Sequence, residues 1–99
     1  MIEIILALWG SLGKSVGGKA GALISQLVGT FGTVKMGRDE WLATVSPWIA
    51  WSNGIVDANR NPTDEEEAAA NAVADAAHAD LQSKARGGPP VPIPAPPAA

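Results

Sequence analysis

The chain has 99 residues, a formal net charge of −3, one His and no Cys. A chain of this length forms at most one small domain, which excludes nucleotide-binding α/β folds and barrel enzymes. The absence of Cys excludes disulfide frameworks and thiolate metal sites, and the acidic balance argues against a nucleic-acid partner.

The composition changes along the chain and divides it into four segments. Residues 1–35 are an apolar, Gly-rich helical segment, residues 36–61 a Trp-rich helical segment, residues 62–87 an acidic, Ala-rich helix and residues 88–99 a Pro-rich extended tail. We therefore predict an all-α fold of two to four helices that ends in a polyproline tail. The charge-free runs are shorter than the roughly 18 residues of a spanning helix. A typical transmembrane helix is thus not expected, while contact with a membrane stays open.

Two stripes run along the first segment at helical spacing. The apolar stripe contains Ile5, Leu12, Val16, Leu23, Leu27 and Val34. The other stripe consists of small residues, among them Gly17, Gly21, Ser25 and Gly29. Because each Gly costs about 1 kcal/mol in a helix relative to Ala, this stripe needs an explanation. Either the helix breaks into two at Gly17, or one long helix uses its small residues to let another backbone approach. In the second case the four small residues are interface candidates.

Three tryptophans lie in a charge-free run of the second segment, and we treat Trp41, Trp48 and Trp51 as further interface candidates. Trp41, Val45, Trp48 and Ser52 share one face of a helix. Such a cluster has three interpretations, which the sequence leaves open. It forms the core, it anchors contacts with other subunits, or it lies at a bilayer surface.

Local signals predict where the later helices begin and end. Pro47 lacks an N–H, so we expect it to kink its helix or to start a new one with Ser46 as N-cap. Thr63 precedes Glu66 by three residues, the spacing of a capping box. Gly87 is expected to follow the end of that helix.

The last residues, PPVPIPAPPAA, are typical of an extended polyproline segment. Such a segment loses little entropy when it docks. We expect Val91 and Ile93 to contact another chain and regard them as interface candidates. The prolines leave few N–H donors, so this contact should be apolar and based on shape.

No pattern in the chain indicates catalysis, a metal, a cofactor or a small-molecule substrate. Gly13-Lys14-Ser15 matches the end of a phosphate-binding loop, but that motif needs Gly at position 8, where this chain has Leu. His78 has only Asp75 and Asp80 near it in sequence, whereas a metal site needs three or four converging ligands. We predict a non-enzymatic protein in which His78 is a solvated or rim residue of the last helix.

Residues 58–83 resemble a loose group of small tailed-bacteriophage proteins. The resemblance lies in Arg60-Asn61-Pro62-Thr63-Asp64-Glu65-Glu66 and in Ala77-His78-Ala79-Asp80-Leu81. The group usually carries a large apolar residue where Glu67 or Ala68 stands here. The resemblance implies a role in the virion or in lysis and supplies no catalytic residues.

These observations lead to three hypotheses. The first is a small structural or assembly component of a virion, associated with capsid or tail, whose partners are copies of itself or larger virion proteins. The second is a holin-like or other membrane-active protein at the host inner membrane. The third is an adaptor that binds a partner through its Pro-rich end.

Overall fold

The computed structural model describes residues 2–97, and all regular structure among them is helical. The helices are α1 (Ile2–Val16), α2 (Gly18–Thr33), α3 (Arg38–Asp57) and α4 (Asp64–Ala85). The predicted all-α class is therefore confirmed. Helix α2 lies at the centre and packs against the other three, and α1 also touches α3.

The first segment forms two helices that meet at Gly17. Gly17 and Gly18 have φ values of 66° and 61°, in the left-handed region that glycine adopts without strain. Helix α2 then runs back along α1, since Gly21 lies against the carbonyl of Gly13 and Gly10 lies opposite Val28. The break changes the phase of the apolar stripe, which is why Val16 is 40% exposed instead of lying in the core.

Helix α3 presents the predicted face to the core. Trp41, Val45, Trp48 and Ser52 are all buried, and Ile55 extends the same face by one turn. The expectation of a new helix at Pro47 is wrong, because α3 continues from Arg38 to Asp57. Pro47 lies on the exposed side, where water can satisfy the carbonyl that loses its helical N–H. Ser46 is no N-cap, since its hydroxyl donates to the Leu42 carbonyl at 2.6 Å.

Helix α4 begins and ends as its sequence predicts. The Glu66 N–H donates to the Thr63 hydroxyl at 3.2 Å, and the Thr63 N–H donates to the Glu66 carboxylate at 2.8 Å. This reciprocal pair is the predicted capping box. After the helix, Gly87 has a φ of 73° and the Gly88 N–H donates to the Ser83 carbonyl at 2.8 Å.

One apolar core joins the helices. Its buried members come from all four: Trp9, Leu23, Ile24, Leu27, Phe31, Trp41, Val45, Trp48, Ala70 and Val73. The indole N–H groups find partners, as buried polar groups require. Trp9 donates to the Ser52 hydroxyl at 2.9 Å, and Trp41 donates to the Phe31 carbonyl at 3.0 Å.

Candidate functional site

The small-residue stripe serves mainly the contact between α1 and α2. A Cβ on Gly21 would lie 2.5 Å from the Gly13 carbonyl oxygen, so the glycine is what allows the two backbones to approach. Gly17 is the break between the helices. Ser25 and Gly29 are exposed and line a shallow groove beside α1, and Gly29 has no neighbour within 4 Å of a Cβ position. The close backbone contact therefore lies within one chain.

The tryptophans also turn inward. Trp41 and Trp48 are 2% and 1% exposed, so they form core and offer no surface to a partner. Trp51 is half-buried and packs edge-on against Trp48, with ring centroids 5.0 Å apart. Trp41 and Trp48 therefore belong to the core, whereas Trp51 stays an interface candidate.

Residues 89–97 fill the space between α3 and α4, a site that we call the tail groove. The Cα atoms of these two helices stay more than 8 Å apart, so the tail lies where direct helix packing is missing. Trp48 Nε1 donates to the Pro94 carbonyl at 3.0 Å. On the other side, the Val91 N–H donates to Asp80 Oδ1 at 2.9 Å and the Ser83 hydroxyl donates to the Pro89 carbonyl at 2.6 Å.

The apolar side chains of the tail pack on the chain itself. Ile93 lies against the buried core, and Val91 is half-buried in a cleft with Met36 and Thr44. Within the single chain both side chains contact their own helices, and contact of Val91 and Ile93 with another chain stays a prediction. The gap between α3 and α4 offers the tail an apolar site on its own chain at no cost of association. Residues 98 and 99 of the tail lie outside the described residues.

Asp80 holds the tail from the side of α4. Its side chain is buried, with only 3% of the residue exposed. Lys84 Nζ lies 2.8 Å from its second oxygen. Hydrogen bonds from Lys84 and from the Val91 N–H lower the pKa of the Asp80 carboxyl, which stays ionised in this setting. The burial of Asp80 could have been found from its spacing. Ala70, Val73, Ala77 and Asp80 recur at helical period, which places the acid on the buried face of α4.

A second surface, which we call the outer α1 face, consists of exposed Ile4 and Leu8. These side chains are 63% and 68% exposed and lie one helical turn apart. The surface continues into a cleft lined by Ile5, Leu12 and Ile49, between α1 and α3. Ile4 and Leu8 were not among the residues predicted from the sequence, because they lie outside the apolar stripe of the first segment.

A further cleft, of about 510 Å³, opens between the end of α3 and the start of α4. Trp51 and Pro97 line it, and so does the ion pair of Arg60 with Glu66. Arg60 Nη2 donates to Glu66 Oε2 at 2.8 Å. Hydrogen bonds from Arg60 and Thr63 lower the pKa of Glu66 to about 2. The cleft offers mainly apolar surface, and Arg60 and Glu66 on its wall are paired with each other.

Among residues 2–97, no three His, Cys, Asp or Glu side chains come together in a way that could hold a metal ion. Across the same residues, no helix has the length and apolar character that crossing a membrane requires. Comparisons with protein-family models, with curated proteins and with solved structures find no match to this chain.

Proposed function

We propose that the chain is a non-enzymatic structural or assembly component of a bacteriophage virion, associated with the capsid or the tail. It acts by helix packing, with its C-terminal segment in an extended polyproline conformation. The observation that carries the assembly role is the outer α1 face. The virion setting rests on the resemblance of residues 58–83 to small tailed-bacteriophage proteins.

The outer α1 face is apolar without being needed for the core. A single exposed Leu is ordinary on a protein surface, but here two large apolar side chains are exposed one turn apart on one helix. The adjoining cleft adds further apolar surface from Ile5, Leu12 and Ile49. Contiguous apolar surface of this kind marks sites of protein association. A second copy of the chain, or a helix of a larger virion protein, would cover it.

A paired substitution tests this role. Ile4→Asp with Leu8→Asp places two charges on the outer α1 face and should abolish oligomers without loss of helicity. The matched control is Ala68→Asp with Ala72→Asp, which adds the same charges one turn apart on an exposed stretch of α4. Light scattering coupled to gel filtration measures the mass, and circular dichroism measures the helicity. Particles purified from the source virus should contain the unmodified chain.

The results separate the proposal from its competitor. A chain that is monomeric at all accessible concentrations and absent from purified particles contradicts the assembly role. Flotation with phosphatidylcholine–phosphatidylglycerol vesicles in high salt, lost in the Ile4→Asp, Leu8→Asp variant, would instead support the holin-like or membrane-active alternative at the host inner membrane.

A further inference from the structure

We propose that the tail groove is a binding site for a proline-rich segment, and that two copies of the chain exchange their tails through it. In one chain the groove holds residues 89–97 of that chain, and after exchange it holds the same residues of the second copy. This site lies between α3 and α4 and does not involve the outer α1 face.

The groove has the chemistry that proline-rich segments need. Such a segment has few N–H donors but keeps its carbonyl acceptors, and it docks on aromatic side chains that donate to those acceptors. Trp48 supplies the aromatic surface and donates to the Pro94 carbonyl. Asp80 accepts from Val91, one of the few tail residues that still has an N–H. The sites for Ile93 and Val91 add an apolar contribution.

The tail occupies the groove along the length of α4. Pro89 is bound at Ser83, near the end of the helix, and Pro97 lines the cleft with Glu65 and Glu66, near its start. Eight steps of polyproline at about 3.1 Å each cover about 25 Å, and the 17 helical steps from position 66 to position 83 rise by the same distance at about 1.5 Å each. The tail thus meets the groove as an extended ligand, antiparallel to α4.

The connection to the tail is a turn of two glycines, Gly87 and Gly88, whose backbones have more conformational freedom than those of other residues. Gly87 has a φ of 73°, and the turn is held by the Gly88 N–H, which donates to the Ser83 carbonyl at 2.8 Å. Rotation at these two glycines carries residues 89–97 away from their own groove. Each copy carries both the ligand and the site, so exchange restores in the dimer the contacts that each monomer gives up.

Engineered disulfides test the exchange in full-length chains. The chain has no Cys, so only introduced cysteines can pair. Thr44 and Pro92 line the same cleft, and the double variant Thr44→Cys, Pro92→Cys should close within one chain under oxidised glutathione. When Thr44→Cys chains are mixed with Pro92→Cys chains, linked heterodimers should form. Their yield should rise with concentration and become comparable to closure within one chain near about 1 mM, the effective concentration of a segment on a short tether.

The matched control replaces the groove cysteine with Ser25→Cys, an exposed position in a different cleft, between α1 and α2. The yield of linked heterodimers between Thr44→Cys and Pro92→Cys chains is compared with the yield in this control. If it is no higher at any concentration, the exchange is refuted.

A measurement on the unsubstituted chain tests the exchange even if the cysteine variants do not fold. In a 1:1 mixture of isotope-labelled and unlabelled chains at about 1 mM, filtered nuclear Overhauser effects should connect the Trp48 indole of one copy with tail protons of the other. Their absence in a folded sample refutes exchange. The disulfide test repeated with Ile4→Asp and Leu8→Asp separates this inference from the proposed function, because tail exchange should survive those substitutions.

Discussion

Two glycines of α2 form a matched pair for testing the close contact between α1 and α2. Gly21 and Gly29 lie in the same helix, and replacing either by Ala removes the same backbone freedom. At Gly29 a Cβ has nothing within 4 Å, whereas at Gly21 it would lie 2.5 Å from the Gly13 carbonyl oxygen. Ordinary contact begins near 3.4 Å, so Gly21→Ala forces α1 and α2 apart by about 0.9 Å.

The two substitutions should change the free energy of unfolding in opposite directions. Gly29→Ala should stabilise the protein by up to about 1 kcal/mol, the difference in helix propensity. Gly21→Ala has the same gain, but a gap of 0.5–1 Å forfeits roughly a quarter to a half of each van der Waals contact across the helix pair. Overpacking of this kind typically costs about 1–3 kcal/mol, so the net effect should be a loss of about 1 kcal/mol.

Urea denaturation followed by tryptophan fluorescence measures both variants. Their unfolding free energies should differ by about 2 kcal/mol, which corresponds to roughly 10 °C in Tm for a domain of this size. Gly13→Ala should also be less stable than Gly29→Ala, because its Cβ would lie 2.9 Å from Ile24 Cγ2 and 3.3 Å from the Gly21 carbonyl oxygen. If Gly21→Ala proves as stable as Gly29→Ala, the glycine contact does not hold α1 against α2.

Three further predictions concern single hydrogen-bonded sites. Thr63→Ala should cost on the order of 1 kcal/mol, the usual loss of an N-cap, and hydrogen exchange across residues 64–70 should become faster. Ser52→Ala removes the acceptor of the buried Trp9 indole and should cost about 1–3 kcal/mol in urea denaturation. Glu66→Gln keeps an acceptor for Thr63 but loses the ion pair with Arg60, which at this partly exposed site is worth about 1 kcal/mol or less. The pKa of Glu66 is lowered from 4.5 to about 2. The loss of unfolding free energy in Glu66→Gln, relative to the unsubstituted chain, should therefore be complete above pH 4.5 and should vanish as the pH falls through 2. A deficit that does not change with pH would contradict the ion pair.

Features set by neighbouring residues could be predicted from the sequence. The capping box of Thr63 and Glu66 involves residues three apart, so its geometry follows once a helix starts there. The buried face of α3 likewise follows from helical period, and both predictions are confirmed. In each case the information lies within one or two helical turns.

Features set by distant contacts could not be predicted in this way. The small-residue stripe indicates that a backbone comes close, but it does not say whose backbone, and the structure supplies that of α1 through Gly13. The position of the tail depends on the gap between α3 and α4, which no local pattern encodes. The exposure of Ile4 and Leu8 depends on which sides of α1 are covered by its neighbours α2 and α3, which the sequence of α1 alone does not specify.

The buried face of α4 consists largely of alanines, so α4 alone contributes little apolar volume to the core. This explains why the tail is part of the fold and why a second copy of the tail could replace it. Small side chains at Ala70 and Ala77 bury little area, and α2 is the helix on which α4 packs. The apolar volume missing on the side of α3 is supplied by Ile93, which joins the core that contains Trp48. A tail from a second copy supplies the same side chain to the same site. The contacts are therefore equal in the monomer and in the exchanged dimer, and the balance between them depends on the entropy of association, hence on the concentration of the chain.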